Sequence, residues 1–375
     1  MIGGARVRLG ALVGLALVAA RVLAPASADP PARTPEGYRL ANTPYAFTFP
    51  RDHAAHPDYR TEWWYYTGHL RAGARRFGYE LTFFRVGLDP ARRRSLSAWA
   101  PHTLVLAHLA LTDETGRRFE FRERAAREAL GLAGADSARY RVWIDDWSAE
   151  LAADGRTHRL RAAVPEFALA LDLEPQKPPV VHGANGVSAK GVGASHYYSL
   201  TRNATRGALV VHGDTLGVEG SSWMDHEFMT DALGPGQVGW DWFGLQLDDG
   251  RELMLYRLRR RDGTVEPRSS GTLIERDGRA VHLPLSAFTV DSTARWRSER
   301  SGGVYPAGWV VRVRGRDLEL RLEPTVPDQE LRTPGSTGTT YWEGSVRIRG
   351  RSGRKVVTGE GYVELTGYAG PPPES

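Results

Sequence analysis

The sequence predicts an all-β protein with two β-barrels or sandwiches in tandem. Short runs rich in aromatic and β-branched residues alternate with turn residues along most of the 375-residue chain, as in known all-β folds. The chain contains 11 Trp and 14 Tyr, which favours sheet surfaces or an aromatic-lined pocket over a helix bundle. Two similar hairpins, at 63–85 and 240–259, indicate that one plan is used twice.

The first predicted hairpin joins a strand at 61–70 to a strand at 77–86 through a glycine-containing loop. Side chains alternate along a strand, so one face of 61–70 carries Trp63, Tyr65, Thr67 and His69, and the other carries Trp64, Tyr66 and Leu70. Only 122–132 has a helix-like composition. The remaining strands of the first half are expected at 103–112, 140–152, 157–164, 167–173 and 196–201.

The second half repeats this style. The glycine-rich segment at 183–193 lacks the Gly-Lys-Ser/Thr step of a phosphate loop and is expected to be a loop. Beyond it the strands are expected at 240–247, 252–259, 272–275, 309–314, 318–322, 341–349 and 360–365. We therefore expect an extended lead-in at 29–58, one barrel at 59–233 and a second barrel at 234–370.

The first 28 residues resemble an export signal. Arg6 and Arg8 precede an apolar run of 12 residues at 9–20, and Ala26-Ser27-Ala28 is a small-residue cleavage site. The run is shorter than the roughly 20 residues of a transmembrane helix. The sequence has no Cys, which excludes a lipidated cysteine and disulfides. We expect a periplasmic or secreted protein that is not an integral membrane protein.

The charge of the chain disfavours nucleic acid as a partner. The formal net charge is +5, and removal of Arg6, Arg8 and Arg21 with the signal leaves 5 − 3 = +2. The basic clusters at 92–94 and 259–261 are short and separated. A nucleic-acid interface normally needs a denser basic face.

The stretch at 220–259 is the strongest candidate for a site. Two aspartates, a glutamate and a histidine lie among three tryptophans in this stretch, namely Asp225, Asp241, Glu227, His226, Trp223, Trp240 and Trp242. Ionisable groups beside large apolar rings are candidates for shifted pKa values, because burial disfavours their charged forms. The structural alternative is that Asp225 and His226 only satisfy backbone groups at the end of a strand.

Several other kinds of site are disfavoured by spacing. His226-Glu227 is not followed by the second histidine of a zinc-binding helix, and no Gly-x-Ser-x-Gly elbow occurs. We expect no metal and no cofactor. Glu62 is predicted to pair with an arginine such as Arg85 at the barrel wall rather than act as an acid. Lys190 is predicted to be a cation at the rim of the pocket.

Four motifs resemble the signature of AttH-type, lipocalin-like secreted proteins, a family that includes the carotenoid 1,2-hydratases (hydroxyneurosporene synthases). In chain order they are Glu62-Trp63-Trp64-Tyr65-Tyr66-Thr67-Gly68, Lys190 with Tyr197-Tyr198-Ser199-Leu200-Thr201-Arg202, Trp223-Met224-Asp225-His226-Glu227, and Gly239-Trp240-Asp241-Trp242-Phe243. The resemblance extends over 59–368. It implies two lipocalin-like (calycin) β-barrels in tandem.

The resemblance also implies an activity, which is hydration of an isoprenoid or carotenoid-like double bond, or a related hydrolase-type reaction. Hydration needs a carboxylic acid that still holds its proton, and Trp and Tyr faces can stabilise the carbocation that forms. Asp225 is the candidate acid and Asp241 the second candidate, while His226 would orient or deprotonate water. The ligand is expected to contact Trp63, Tyr65, Tyr198, Trp223, Trp240 and Trp242.

Three functions stay open at this point. The first is an enzyme that acts on a lipophilic small molecule, and the second is a non-catalytic periplasmic carrier of a lipid or another hydrophobic ligand. The third is an interaction protein in which the barrels only present loops. An enzyme needs the ionisable groups in the pocket, a carrier needs the pocket alone, and an interaction protein needs neither.

Overall fold

The computed structural model of the chain describes Met1 and residues 32–88, 102–191, 193–230 and 233–369. The expected export signal beyond Met1 and the basic cluster at 92–94 lie outside the described residues. The described part contains no α-helix, and its only helical elements are the 3-10 turns Arg51–His53 and Leu285–Ala287. The all-β prediction is therefore confirmed. No helix in the described residues has the length and apolarity to cross a bilayer.

The first sheet is formed by the strands β1 (Thr61–Ala72), β2 (Arg75–Gly87), β3 (Thr103–Asp113), β4 (Arg118–Arg127), β5 (Ala133–Ala135), β6 (Arg141–Ile144), β7 (Trp147–Leu151), β8 (His158–Ala163), β9 (Phe167–Pro175), β10 (Val180–Val181), β11 (Ser188–Ala189), β12 (Ala194–Val211) and β13 (Asp214–Met229). Its order is β4-β3-β2-β1-β13-β12-β9-β8-β7-β6-β5, and β10 and β11 pair with β12. Strands β3 and β4 approach β5 and β6, so the sheet curls into a nearly closed barrel.

The second sheet is formed by β14 (Gln237–Leu247), β15 (Glu252–Arg260), β16 (Ser270–Ile274), β17 (Ala280–Pro284), β18 (Phe288–Ser292), β21 (Trp309–Val313), β22 (Leu318–Pro324), β23 (Glu330–Thr333), β24 (Thr339–Ser352) and β25 (Lys355–Thr366), and a separate ribbon by β19 (Arg295–Arg297) and β20 (Val304–Pro306). Its order is β17-β16-β15-β14-β25-β24-β22-β21-β18, with β23 on β24. The boundary expected at 233/234 falls between the two sheets, and the domain bounds themselves stay predictions.

Both predicted hairpins are present, because β1 pairs with β2 and β14 pairs with β15. The segment at 122–132, despite its helix-like composition, forms no helix. Its first part belongs to β4, which pairs with residues 104–113 of β3. Phe119 and Phe121 of this strand pack against Leu331 and Tyr341 of the second barrel. Pairing and packing thus outweigh the helix propensity of Ala, Arg and Glu here.

Side chains fill the inside of each barrel. In the first barrel they form one cluster that includes Trp64, Tyr66 and Phe83, and in the second barrel another that includes Phe243, Trp309 and Trp342. Close packing of this kind leaves little room for a ligand inside a barrel. A ligand site is therefore to be sought outside the two barrel cores.

The two barrels meet through their outer faces. Aromatic and aliphatic residues of both sheets form a third cluster there, made of Tyr65, Tyr197, Trp223, Trp242, Met254, Tyr256, Leu258 and Tyr362. Polar contacts surround it. Glu252 Oε2 binds Lys177 Nζ at 2.7 Å, and the Gln246 amide donates to the carbonyl of Thr201 at 2.8 Å. The junction is thus a packed interface with fixed partners.

Candidate functional site

A cavity of about 390 Å³ lies at this junction between the barrels. Strands β1, β2, β3, β12 and β13 supply one wall, and strands β14, β15, β24 and β25 supply the other. Most of the lining is aromatic or aliphatic and includes Trp63, Tyr65, Phe84, Leu106, Trp240 and Trp242. The volume is within the range of about 300–1,000 Å³ that is typical of small-molecule sites.

Five carboxyl groups also line this cavity, namely Glu80, Asp225, Glu227, Glu343 and Glu364. Burial raises the pKa of Asp225 to about 7, of Glu80 to about 7 and of Glu364 to about 8. Burial, followed by the charges of Glu80 and Glu364, raises the pKa of Glu343 well above its usual value. The cavity therefore holds carboxyl groups that keep a proton near neutral pH.

Asp225 is held by three hydrogen-bond donors. The hydroxyl of Tyr197 donates to Oδ2 at 2.7 Å, the indole N–H of Trp223 donates to Oδ1 at 2.5 Å, and the hydroxyl of Ser199 also donates to Oδ1. The Trp242 indole in turn donates to Tyr197 Oη at 3.0 Å. Both carboxylate oxygens of Asp225 are thus occupied and its orientation is fixed.

Glu80 and Glu343 are held differently. Tyr65 donates to Oε1 of Glu343 at 2.7 Å, and Thr82 donates to Oε1 of Glu80 at 2.8 Å. The Oε2 atom of each residue is buried and has no hydrogen-bond partner among the described residues. Each side chain therefore has one anchored oxygen and one oxygen available to a ligand or water.

Lys190 is not a rim cation, and that prediction is wrong. It is only 8% exposed, and its Nζ lies 3.0 Å from Glu227 Oε1 and 4.1 Å from the centre of the Tyr256 ring. Burial disfavours the ammonium, but the charge of Glu227 reverses this effect and raises the pKa of Lys190. The pair provides one polar, ionic corner of the cavity.

Four of the expected ligand-binding residues, Trp63, Tyr65, Trp240 and Trp242, line the cavity. Trp223 stands just behind it, where its ring meets Trp242 edge-on with centres 5.9 Å apart. Tyr198 does not belong to the cavity. It points into the first barrel, where its hydroxyl lies 2.7 Å from His53 Nδ1.

The structure does not bring His226 together with Asp225. Consecutive residues of a strand face opposite sides of the sheet, so Asp225 of β13 faces the cavity while His226 faces the interior of the first barrel. There its Nε2 lies 2.8 Å from Glu62 Oε1 and its Nδ1 lies 3.1 Å from Tyr198 Oη. The imidazole is fully buried and cannot reach water in the cavity.

Glu62 pairs with Arg85, as the sequence predicts, at 2.8 Å between Nε and Oε2. It also accepts from the backbone N–H of His56. One ligand atom each of His56, Glu62 and His226 lies within 4.8 Å of the others, a spacing that could hold a metal ion. The guanidinium already supplies a positive charge to this carboxylate, so the cluster fits a structural ion-pair network in the barrel interior.

Asp241 also lies apart from Asp225, for the same reason of alternation. Its neighbours Trp240 and Trp242 face the cavity, so Asp241 faces the other side of β14. Its carboxylate binds Arg257 Nη2 at 2.7 Å and Arg259 Nε at 3.0 Å. The buried carboxylate is thus paired with two cations, which fits a structural role.

Sequence reasoning missed Glu80, Glu343 and Glu364. A usable signal existed, because Glu80 follows Tyr79 and Glu343 follows Trp342 inside strand patterns. A carboxylate within an aromatic strand is expensive to bury unless it is paired, neutral or functional. The signal required knowing which strands of the second barrel face the first, and short-range patterns do not contain this information.

The fold and the cavity define a lipocalin-like protein of two β-barrels with an acidic, aromatic site between them. The chain belongs to the AttH-like family, whose model matches residues 40–368. A comparison with curated proteins gives no match.

Solved structures share this architecture. A crystal structure assigned as an AttH from Nitrosomonas europaea is 34% identical, with a TM-score of 0.78 over 86% of this chain and 98% of that one. Kievitone hydratase from Nectria haematococca is 16% identical, with a TM-score of 0.66 over 89% of this chain and 97% of that one. CghA is 15% identical, with a TM-score of 0.55 over 90% and 98%. The last two share the fold.

Proposed function

We propose that this protein is an exported hydratase that adds water to a carbon–carbon double bond of a lipophilic small molecule, such as an isoprenoid. One observation carries the proposal: the cavity between the barrels combines aromatic walls with carboxyl groups whose pKa values are raised by burial to about 7 or above. A carboxyl that keeps its proton can act as a general acid near neutral pH.

The remaining parts of the cavity suit the intermediate. Protonation of an isolated double bond leaves a carbocation, and the faces of Trp63, Trp240 and Trp242 can stabilise a cation through their quadrupoles. The apolar lining, which includes Phe84 and Leu106, suits a lipophilic substrate. A cavity of about 390 Å³ accepts one small molecule or one end of a long one. A hydratase among the proteins of this fold, the kievitone hydratase, gives the reaction class a precedent.

Export to the periplasm or the medium belongs to the same proposal and rests on the signal-like segment at 1–28. Sequencing the N-terminus of protein recovered from the producing cells tests it. Cleavage after Ala28 is the expected result, and an intact N-terminus on cytoplasmic protein would contradict export.

The activity is tested with geraniol and squalene as probes in water labelled with heavy oxygen. Incorporation of the label into a product alcohol, detected by mass spectrometry, is the expected result. Asp225→Asn is expected to lower the rate by about 100-fold or more, whereas Asp291→Asn, on the exposed surface of β18, serves as the matched control. Tight binding of both probes without labelled product would indicate a carrier instead.

A further inference from the structure

Two carboxyl groups from opposite walls of the cavity have contrasting hydrogen bonds. Asp225 of the first barrel accepts three hydrogen bonds that occupy both of its oxygens. Glu343 of the second barrel accepts one hydrogen bond on Oε1, from Tyr65, and its Oε2 has no partner among the described residues. Both side chains are at least 96% buried, with exposures of 4% and 1%.

We propose that Glu343 is the general acid of the cavity and that Asp225 is the general base that receives a proton from the attacking water. This assignment rests on the hydratase function proposed above. It reverses the role that the sequence predicts for Asp225, and it adds a catalytic residue from the second barrel.

The hydrogen bonds decide which group is the base. Donors aimed at a carboxylate stabilise its ionised form, and Asp225 has three of them. They oppose the effect of burial, and the pKa of Asp225 settles at about 7. Near neutral pH a substantial share of Asp225 is therefore ionised and able to accept a proton.

Glu343 has the opposite balance. Burial and the nearby carboxyl groups of Glu80 and Glu364 raise its pKa, as does ionised Asp225, while the single hydrogen bond from Tyr65 lowers it. The pKa of Glu343 therefore lies well above its usual value. Environments that push two carboxyl groups apart in this way mark the acid and the base of a site.

The step balances without a redox partner. The π electrons of the double bond take the proton of Glu343 Oε2 to form a C–H bond, which leaves a carbocation on the other carbon. A water oxygen forms the C–O bond to that carbon and gives one proton to Asp225. The net reaction adds one water, and the proton returns from Asp225 to Glu343 before the next turnover.

Tyr65 links the two walls. Its backbone pairs with that of Asp225 in the ladder between β1 and β13, and its hydroxyl binds Glu343 of β24. Tyr65 therefore positions the acid of one barrel relative to the base of the other.

The charge state of Glu343 can be measured without a substrate. Infrared spectra are recorded near neutral pH, and comparison of the wild type with Glu343→Gln separates the carbonyl stretch of a protonated Glu343 from those of the other carboxyl groups in the cavity. The band is expected in the wild type and in Asp225→Asn, and it is expected to vanish in Glu343→Gln. Identical carbonyl bands in the wild type and in Glu343→Gln would overturn the assignment, whatever the activity of the protein.

Turnover of the same two probes separates the roles. The groups that face Asp225 and Glu343 and could also titrate are Glu80, Glu227, Glu364, Lys190, Tyr65 and Tyr197. The wild-type rate is expected to rise with pH through about 7 as Asp225 ionises and to fall at higher pH as Glu343 loses its proton. Asp225→Asn should remove the rise, and Glu343→Gln should lower the rate at all pH values by about 100-fold or more.

Glu343→Asp, which restores a carboxyl, is expected to recover part of the activity. Glu323→Gln, an exposed glutamate of β22, is the matched control and should behave as the wild type. A rate for Glu343→Gln within about tenfold of the wild type would overturn its role as the acid. If no variant and no wild type turns over either probe, the hydratase proposal fails, while the infrared result still decides whether Glu343 is the protonated group.

Discussion

Glu62 and Glu343 are both buried carboxyl groups, with exposures of 0% and 1%, yet their surroundings give them opposite charge states. Burial disfavours the charged form of Glu62, but the Arg85 guanidinium and two imidazoles hold its pKa well below the usual value. Glu343 has acidic neighbours and makes no ion pair with the described residues, and its pKa is raised. Burial alone therefore does not decide the charge of a carboxyl, because the neighbouring charges can reverse its effect.

Glu62 and Glu343 also differ in how many of their carboxyl oxygens have hydrogen-bond partners. Glu62 ties the interior of the first barrel together through Arg85, His56 and His226. The Oε2 atom of Glu343 has no hydrogen-bond partner among the described residues. Both oxygens of Glu62 are therefore occupied, whereas Glu343 has one oxygen that a ligand or water could contact.

The largest expected effect is the loss of unfolding free energy in a variant of Glu62, the carboxylate that pairs with Arg85. Glu62→Gln leaves the buried guanidinium of Arg85 without its anion, and removal of one partner of a buried ion pair costs about 3–5 kcal/mol. Glu343→Gln replaces a group that is already neutral and should change the free energy of unfolding much less. Urea denaturation of the two variants at neutral pH measures this contrast. Equal losses would show that both carboxyls are ionised in the folded protein.

The second effect is the pH dependence of stability. The pKa of Glu80 is raised by burial from 4.5 to about 7, so the folded protein keeps a proton that the unfolded chain has released. Its contribution to stability is complete below pH 4.5 and decreases as the pH rises to about 7, by about 3 kcal/mol in all. Glu62 acts in the opposite direction, because its stabilising effect is lost as the pH falls below 4.5 toward its lowered pKa.

Glu80→Gln tests this sign. The unfolding free energy of the variant should fall less steeply than that of the wild type between pH 4.5 and 7. Denaturation midpoints across this interval measure the two slopes. Parallel curves would mean that Glu80 is not protonated in the folded protein.

The third effect concerns Asp241, a buried carboxylate that is paired with cations as Glu62 is. Asp241 pairs with Arg257 and Arg259. Because asparagine keeps one acceptor oxygen, Asp241→Asn should lower the free energy of unfolding by about 2 kcal/mol, which is the contribution of one hydrogen bond to a charged group. Thermal and urea denaturation measure the loss. Unchanged stability together with lost turnover of the probes would return Asp241 to the chemistry of the cavity.

The smallest effect concerns the hydrogen bond from Tyr65 to Glu343, which connects the two walls of the cavity. Tyr65→Phe removes one hydrogen bond to Glu343, which should cost about 1 kcal/mol of stability. Because that hydrogen bond lowers the pKa of Glu343, its loss should raise the pKa further and move the infrared titration of the carboxyl to higher pH. A shift to lower pH would show that Tyr65 instead stabilises the protonated form.

Local patterns were sufficient to predict an all-β chain with two similar hairpins, and the family resemblance supplied the lipocalin-like barrels. The hairpins of β1–β2 and β14–β15 and the alternation of Trp63 and Trp64 follow from strand periodicity, and Glu62 found its predicted partner Arg85. The same periodicity, applied to Asp225 and His226, would have separated them into two faces. Grouping them by closeness in sequence was the error.

The missing half of the site is non-local. Glu343 lies 118 residues beyond Asp225 in the chain, and only the docking of β24 and β25 against the first barrel brings it to the cavity. The helix-like composition at 122–132 also gave no sign of β4, whose Phe119 and Phe121 find their partners across the junction. Interactions between distant segments decide both cases, and short windows of sequence do not contain them.

The junction between the barrels has one more consequence. Asp225 lies on the wall of the first barrel, and Glu343 lies on the wall of the second. Contacts between the barrels, such as Arg202 with Glu252 and Gln246 with Thr201, set the distance between the two walls. Substitutions at these interface contacts would widen or narrow the cavity without changing any side chain that contacts the ligand. Related proteins could thus have evolved to bind ligands of other shapes through changes in the contacts between the barrels, with the reacting carboxyl groups unchanged.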